Sequence, residues 1–344
     1  LDDPLGKVAV AIQMLILYTA IKSAYMCKTA VFFGEQLAGY SFGNAHPFNS
    51  NRIHVFWSRF CALQFNKSNH ICIESPETTQ EETILRFHDG EYVDLVKKCS
   101  RIGTGFLDNG DTPAFKGVFD ASSYVVGTSL KALKLVMEKR NGILHAFNPI
   151  GGLHHSRRGS AGGFCVFNDI GIIILIAREK YGIKRIAYVD IDAHHGDGVY
   201  YEFADDPSLF IADIHEDGRY LYPGTGNESE NGLRNAKGTK LNVPLKPGSE
   251  DSNFFRAFEK TREFIDGIAK PELIIFQCGA DCLDHDPLTH LRFTPKVHRF
   301  ASEILHQLSH KHSDGRIIAL GGGGYNPANV AAAWTEVIGS FIRS

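Results

Sequence analysis

The chain has no surplus of positive charge: 36 Lys and Arg stand against 39 Asp and Glu, a formal charge of -3. A nucleic-acid footprint shows as a basic excess, so the balance argues against direct nucleic-acid binding. A disulfide framework is missing too. The seven cysteines, an odd number, fall irregularly at 27, 61, 72, 99, 165, 278 and 282, which points to a reducing compartment, expected to be the cytoplasm. There is no clean membrane span, because the apolar run Val8 to Tyr25 is broken by Gln13 and Lys22. A secretory leader would begin with basic residues, whereas this sequence opens LDDPLGK. Residues 1–26 are expected to form an N-terminal extension, with a natural start at Met26 suiting the strand-like KTAVFFG that follows. Repeats, low-complexity tracts and long linkers are also lacking, so 27–344 reads as one domain of ordinary globular composition, 43% hydrophobic and 22% charged.

What is present is alternation. Strand candidates at Thr29 to Phe33, Ile71 to Ile73, the GILHAFNP run from Gly142, Ile186 to Val189, Leu209 to Ile214, Leu273 to Gln277 and Arg316 to Leu320 are short and apolar. Between them lie helix candidates: one after HPFNSN, Ser122 to Lys139 with Asp120 near its cap, DIGIIILIAREKYG capped by Asn168 or Asp169, and stretches near 252–268, 295–310 and 327–342. Thr294 and Asn326 are the expected caps of the last two. The rhythm predicts an α/β fold: a central, mostly parallel sheet covered by helices on both sides.

In such folds ligands bind beyond the carboxyl ends of the strands. Polar, reactive residues should therefore follow each strand, and five blocks obey: GGLHHSRRGSAGGF, DIDAHHGDG, DIHEDGRYLYPGTG, CGADCLDHDPL and GGGGYNP. A lone Asp or His in such a position is ordinarily a cap or turn residue. Three acids and two histidines between Asp190 and Gly198, directly after an apolar strand, exceed what turn chemistry needs, and burying them unpaired is costly. Asp192 and His194 are two apart, so on an extended segment both face one metal ion. An EF-hand reading fails because it wants an oxygen ligand where His194 stands and a glycine where His195 stands.

Asp281, behind the small residues Gly279 and Ala280, is the expected third ligand. Two carboxylates and one imidazole suit zinc, and also admit iron(II) or cobalt(II). The tandem His154 and His155 supply a base and an acid for hydrolysis. Pairing of Asp190 with one and Asp197 with the other would separate their protonation states. Tyr325, after a run of four glycines, can donate its hydroxyl to a developing oxyanion.

LHHSRRGSAGGFCVFND, YVDIDAHHGDGV, HEDGRYLYPGTG, QCGADCLDHDPLTHL and LGGGGYNPANVAAAW resemble, in order, the signature blocks of zinc-dependent histone deacetylases. FGNAHPFN, GRYLYPGTG and DPLTHL are most similar to the prokaryotic acetoin-utilisation branch, and the resemblance covers roughly 28–344. It implies a three-layer α/β/α fold of arginase/deacetylase type and removal of acetyl groups from lysine side chains. It also implies zinc on Asp192, His194 and Asp281, catalysis by His154, His155 and Tyr325 with Asp190 and Asp197 behind the imidazoles, and a tunnel walled by Gly163, Phe164 and Tyr222 with Leu288 near its mouth. Asp111 matches the rim aspartate that grips the substrate backbone, and the Asp190 region with Asp213 and His215 resembles a structural potassium site. Two departures stand out: Tyr222 replaces the family's usual phenylalanine, and HPFNSNR lacks a second proline near Arg52.

Other motifs are read as ordinary structure. Gly39 to Gly43 fits G-x-S-x-G but lacks the strand before and helix after that a nucleophile elbow requires. Cys278 and Cys282 read as buried thiols, and His306 to His312 as the solvated face and end of a helix. Three rivals to a protein deacetylase are kept: a deacetylase of acetylpolyamines or other small acetylated amines, a ureohydrolase with two metals, and a non-catalytic module binding acetyl-lysine or a metabolite. The block at Asp281 lacks the aspartate spacing for a second ion, and a binding module has no need of the intact ligand set with Tyr325.

Overall fold

The computed structural model describes residues 27–343, and the expected extension over 1–26 lies outside them. Eight strands form one sheet in the order β2-β1-β3-β8-β7-β4-β5-β6, and every neighbouring pair is parallel. They are β1 (Lys28–Phe32), β2 (Ile71–Glu74), β3 (Ile143–Asn148), β4 (Ile186–Asp190), β5 (Leu209–Glu216), β6 (Lys240–Leu245), β7 (Leu273–Gln277) and β8 (Ile317–Leu320). Among the described residues no helix is long and apolar enough to cross a membrane.

Period-two alternation splits the core into two layers. Ala30 and Phe32, Ala146, Ile186 and Tyr188 point into one cluster with α2 (Gly90–Ile102), α3 (Val118–Glu138), α4 (Asp169–Tyr181) and the short α5 (Asp197–Glu202). Val31, Phe147, Ala187 and Val189 point into the other. That second cluster contains Phe56 and Phe60 of α1 (Asn51–Ala62), Phe254 and Phe258 of α6 (Asp251–Phe264), Leu305 of α7 (Lys296–His312) and Trp334 of α8 (Pro327–Ile342). The three-layer architecture thus follows from strands whose two faces are both apolar.

Several boundaries differ from the sequence reading, each for a physical reason. Helix α3 begins at Val118 behind Gly117 at φ 88°, so Asp120 sits in its first turn rather than at its cap. Strand β6 was not foreseen because Pro244 interrupts LNVPL; it is tolerated since β6 is the sheet's edge. Helix α7 starts from Pro295, and Thr294 instead donates its hydroxyl to Asp251 at 2.6 Å. Its last histidines are only in part a solvated end: His310 is exposed and His312 half-buried, but His306 is buried, its ring 4.6 Å from that of His310.

Two buried histidines make the fold acid-labile. Burial lowers His88 to about 3 and His298 to about 4. His88 Nε2 accepts from the Asn168 amide at 2.9 Å, and His298 Nε2 lies 2.9 Å from the Gly279 carbonyl, which it meets as a donor. A folded-state pKa below the unfolded value means the unfolded chain binds more protons in acid. Their contribution to stability is therefore full above pH ~6.5 and falls toward pH 4, by about 1.4 kcal/mol per pH unit for each histidine. Urea unfolding is expected to show a clearly lower midpoint at pH 5 than at pH 7; equal midpoints would contradict this.

Candidate active site

The strands β3, β8, β7 and β4 are adjacent at the centre of the sheet, and their carboxyl ends deliver all the reactive side chains to one place. His154 and His155 follow β3, Tyr325 follows β8, Asp281 follows β7, and Asp190 ends β4 with Asp192 and His194 just beyond. Asp192 to His194 is a bend rather than the extended segment expected, so turning of the chain makes the two side chains converge.

His194 Nδ1 lies 3.0 Å from Asp192 Oδ1 and 3.1 Å from Asp281 Oδ2. One N–H cannot satisfy both oxygens well, and all three residues are buried. The two carboxylates push His194 up to about 10 despite the opposing effect of burial. Burial, then the charge of Asp192, raises Asp281 to about 7. A site that must hold a proton on an imidazole to offset two carboxylates fits a divalent cation, which replaces that proton.

Residues around the trio fix it. Asp192 Oδ2 accepts from Gln277 Nε2 and from the Gly323 amide, each at 2.8 Å, and Asp281 Oδ1 accepts from the Ala193 amide at 2.9 Å. A Cβ on Gly323 would stand 2.1 Å from Asp281 Oδ2, so the glycine run lets backbone touch the carboxylates. Tyr325 is held just before α8, where Pro327 opens the helix and the Asn326 side chain caps it; its amide donates to Asp286 Oδ2 at 2.8 Å. Arg52, buried, donates Nε–H to the Gly324 carbonyl at 2.8 Å and its Nη2 to Gly322, which steadies the glycine run. Gln277 and Asp286 were not singled out as site residues, and Asp169 was expected only as a possible cap of α4, a place Asn168 takes. Asp169 accepts from the Leu153 amide at 2.9 Å and so sets the loop leading to His154. Their only sequence signal was position, a polar residue at a strand end or beside a cap.

The imidazoles differ. His154 Nδ1 lies 2.7 Å from Asp190 Oδ2, which the Tyr188 hydroxyl also meets. His155 Nδ1 lies 2.7 Å from Asp197 Oδ1, whose Oδ2 accepts from Arg157 at 2.8 Å. The two Nε2 atoms are 3.1 Å apart, so one must donate and the other accept. Burial would depress His154, but the charges of Asp190 and Asp192 outweigh it and hold it at about 9. Burial and then the His154 charge lower His155 to about 4. The ordering makes His154 the better donor and His155 the better acceptor of the pair. Asp213, level with Asp190 in the sheet register, binds His215 Nδ1 at 2.6 Å and the Gly196 amide at 2.9 Å.

Above these groups opens a cavity of about 210 Å³ lined by Asp111, His155, Gly163, Phe164, His194, Leu221, Tyr222, Leu288 and Tyr325. Every expected wall residue is there, together with Leu221, which sequence reasoning missed. Gly163 has no room for a side chain: a Cβ would stand 2.3 Å from His155 Cδ2. Phe164 holds φ 68°, an uncommon conformation for phenylalanine. The Thr112 hydroxyl accepting from its amide at 3.1 Å and the Tyr40 hydroxyl donating to its carbonyl at 2.7 Å keep it there, edge-on to Tyr325 at 5.6 Å. Asp111 rides on a loop whose amides at 110, 111 and 112 all donate to Asp108 Oδ1 at 2.9 Å.

The chain is similar to proteins already known. The model of the "Histone deacetylase domain" matches residues 46–341. The chain is 37% identical over 326 residues to the acetoin utilization protein AcuC of Bacillus subtilis (strain 168), covering 91% of this chain and 83% of that protein. It is 32% identical over 325 residues to AcuC of Staphylococcus xylosus, covering 91% and 82%. The solved structure described as the HDA15 HD domain superposes with a TM-score of 0.83 over 92% of this chain and 88% of that one; at 24% identity it supports the fold alone.

Proposed function

The chain belongs to the histone deacetylase family, as an acetoin-utilisation-type deacetylase, and from that premise we propose that it hydrolyses the acetyl amide of N-acetyl-lysine side chains with the help of zinc. The observation that carries the reading is one cavity lined both by the polar His155, His194 and Tyr325 and by Gly163, Phe164, Tyr222 and Leu288, a mixture that suits an alkyl stem ending in an amide. Asp192, His194 and Asp281 would hold the ion. When bound it supplies a Lewis acid for the acyl carbonyl and lowers the pKa of water; iron(II) or cobalt(II) fits the same donors.

The remaining work belongs to this chain's side chains. His155 Nε2 takes the proton from the attacking water, with Asp197 holding its Nδ1–H and fixing the tautomer. His154 stays cationic against Asp190 and stabilises negative charge on the acyl carbon's oxygens. Tyr325 donates its hydroxyl to the acyl oxygen as that oxygen becomes anionic, then the protonated His155 returns its proton to the departing lysine amine as the C–N bond breaks. Water and amide become acetate and amine. Asp111 at the rim accepts from the substrate backbone, and a structural potassium ion would sit in the Asp190 region with Asp213 and His215.

Zinc-reconstituted protein assayed on an acetyl-lysine peptide, an acetylpolyamine and longer acyl-lysines tests the substrate. The peptide should lead the polyamine in kcat/KM by at least about tenfold, roughly 1.4 kcal/mol. A preference for the polyamine would establish the small-amine alternative instead.

A further inference from the structure

Near the amino-terminal ends of β1 and β3, away from the carboxyl ends that carry the cavity, lies a second set of metal-competent side chains. Cys27 immediately precedes β1, and the β1–β3 register sets Thr29 opposite His145, so the thiol arrives beside that imidazole. Cys27 Sγ is 3.0 Å from His145 Nδ1. From the other side, the last turns of α7 bring His306 and His310 on one helical face, since they are four apart. One donor atom each from Cys27, His145 and His310 lies within 4.8 Å of the others.

We propose that Cys27, His145 and His310 form a second metal site, taking a zinc-class ion, with His306 as the partner that orients His145. The proposal is independent of the catalytic reading, since it shares no residue with the cavity.

Four features support it. First, the donor set is one thiol and two imidazoles, which selects borderline-soft ions such as Zn²⁺ over Mg²⁺ or Ca²⁺. Second, the geometry is nearly correct: a tetrahedral zinc with sulfur at about 2.3 Å and nitrogen at about 2.0 Å separates the two by roughly 3.5 Å, so the Cys27 and His145 contact needs to open by only about half an ångström. Third, His145 Nε2 lies 2.8 Å from His306 Nδ1. A ligating histidine ordinarily donates its other N–H to a partner that fixes its tautomer, and His306 stands in that place. Fourth, burial and mutual proximity keep His145 and His306 below the usual imidazole range, and burial does the same for His310. The neutral imidazole is the form that binds metal.

A core hydrogen bond between Cys27 and His145 explains those two residues but not why His310, exposed at the helix end, joins them. Its exposure gives an ion a path in and leaves a fourth position for water. Burial pushes the Cys27 thiol up to about 12, so binding must release a proton. The bound ion would pin the start of β1 to β3 and to the end of α7.

Cobalt(II) gives the test, because thiolate coordination produces a near-ultraviolet charge-transfer band that an oxygen and nitrogen set cannot. Metal-stripped protein titrated with Co²⁺ is expected to bind two equivalents and develop that band. Cys27→Ser and His310→Ala should each lose the band and one equivalent, with the melting temperature of the stripped protein reporting that each variant still folds. Asp281→Asn should keep the band and lose the other equivalent. One equivalent without a band in the wild type, or a band that survives Cys27→Ser, overturns the site.

Discussion

Replacing Asp281 by Asn is expected to remove ion binding at the cavity and amide hydrolysis together, with turnover falling by at least about a thousandfold, since the Lewis acid contributes several kcal/mol. Asn keeps the shape of Asp and still accepts from the Ala193 amide through its carbonyl oxygen. What changes is charge. The side chain of Asp281 faces His194 Nδ1 beside Asp192, and an amide in its place supplies neither the negative charge nor, in half its orientations, an acceptor. Stability should move the other way. Asp281 is raised by burial and then by repulsion from Asp192, so the metal-free protein should melt at the same temperature or higher once one carboxylate is gone. Activity assayed after zinc reconstitution, with melting of the stripped protein, checks both halves. Retained turnover would place the chemistry elsewhere.

Tyr325→Phe separates the ion from the oxyanion donor. The ring remains, and with it the edge-on contact to Phe164 at 5.6 Å and the buried Arg52 whose guanidinium carbon is 5.9 Å from the ring. None of the three ligands is touched, so the ion should still bind. Only the hydroxyl is lost, and burial followed by the charges of Asp281 and Asp192 keeps that hydroxyl protonated and ready to donate. Removing one oxyanion donor costs about 10²–10³ in kcat. KM should change little, because the ground-state carbonyl gains less from the donor than the anion does. A full-rate Phe variant would mean that Tyr325 only packs.

Most of the sheet was legible because both faces of β3, β4, β7 and β8 are apolar, and a fully buried parallel strand leaves little ambiguity in a short run bounded by glycine and polar residues. The edge was not: β6 carries Pro244, which local rules exclude and only an edge position permits. In the site, the candidate reactive residues and the carboxylates Asp190 and Asp197 beside the imidazoles were visible from their strand-end placement, whereas Gln277 and Asp286, which brace the others, were not. Gln277 is simply the last residue of an apolar strand until Asp192 Oδ2 is found 2.8 Å from its amide nitrogen. His306 misled for the complementary reason. Helical spacing shows that His306 and His310 share a face, but which face is buried depends on β3 and Cys27, far away in sequence.

Crystals of the zinc-reconstituted protein, with anomalous differences recorded at the zinc edge, address the main claim most directly. The account requires a peak enclosed by Asp192, His194 and Asp281, with bonds of about 2.0–2.2 Å. A protein that hydrolyses acetyl-lysine with no peak within coordinating reach of those three side chains would contradict it.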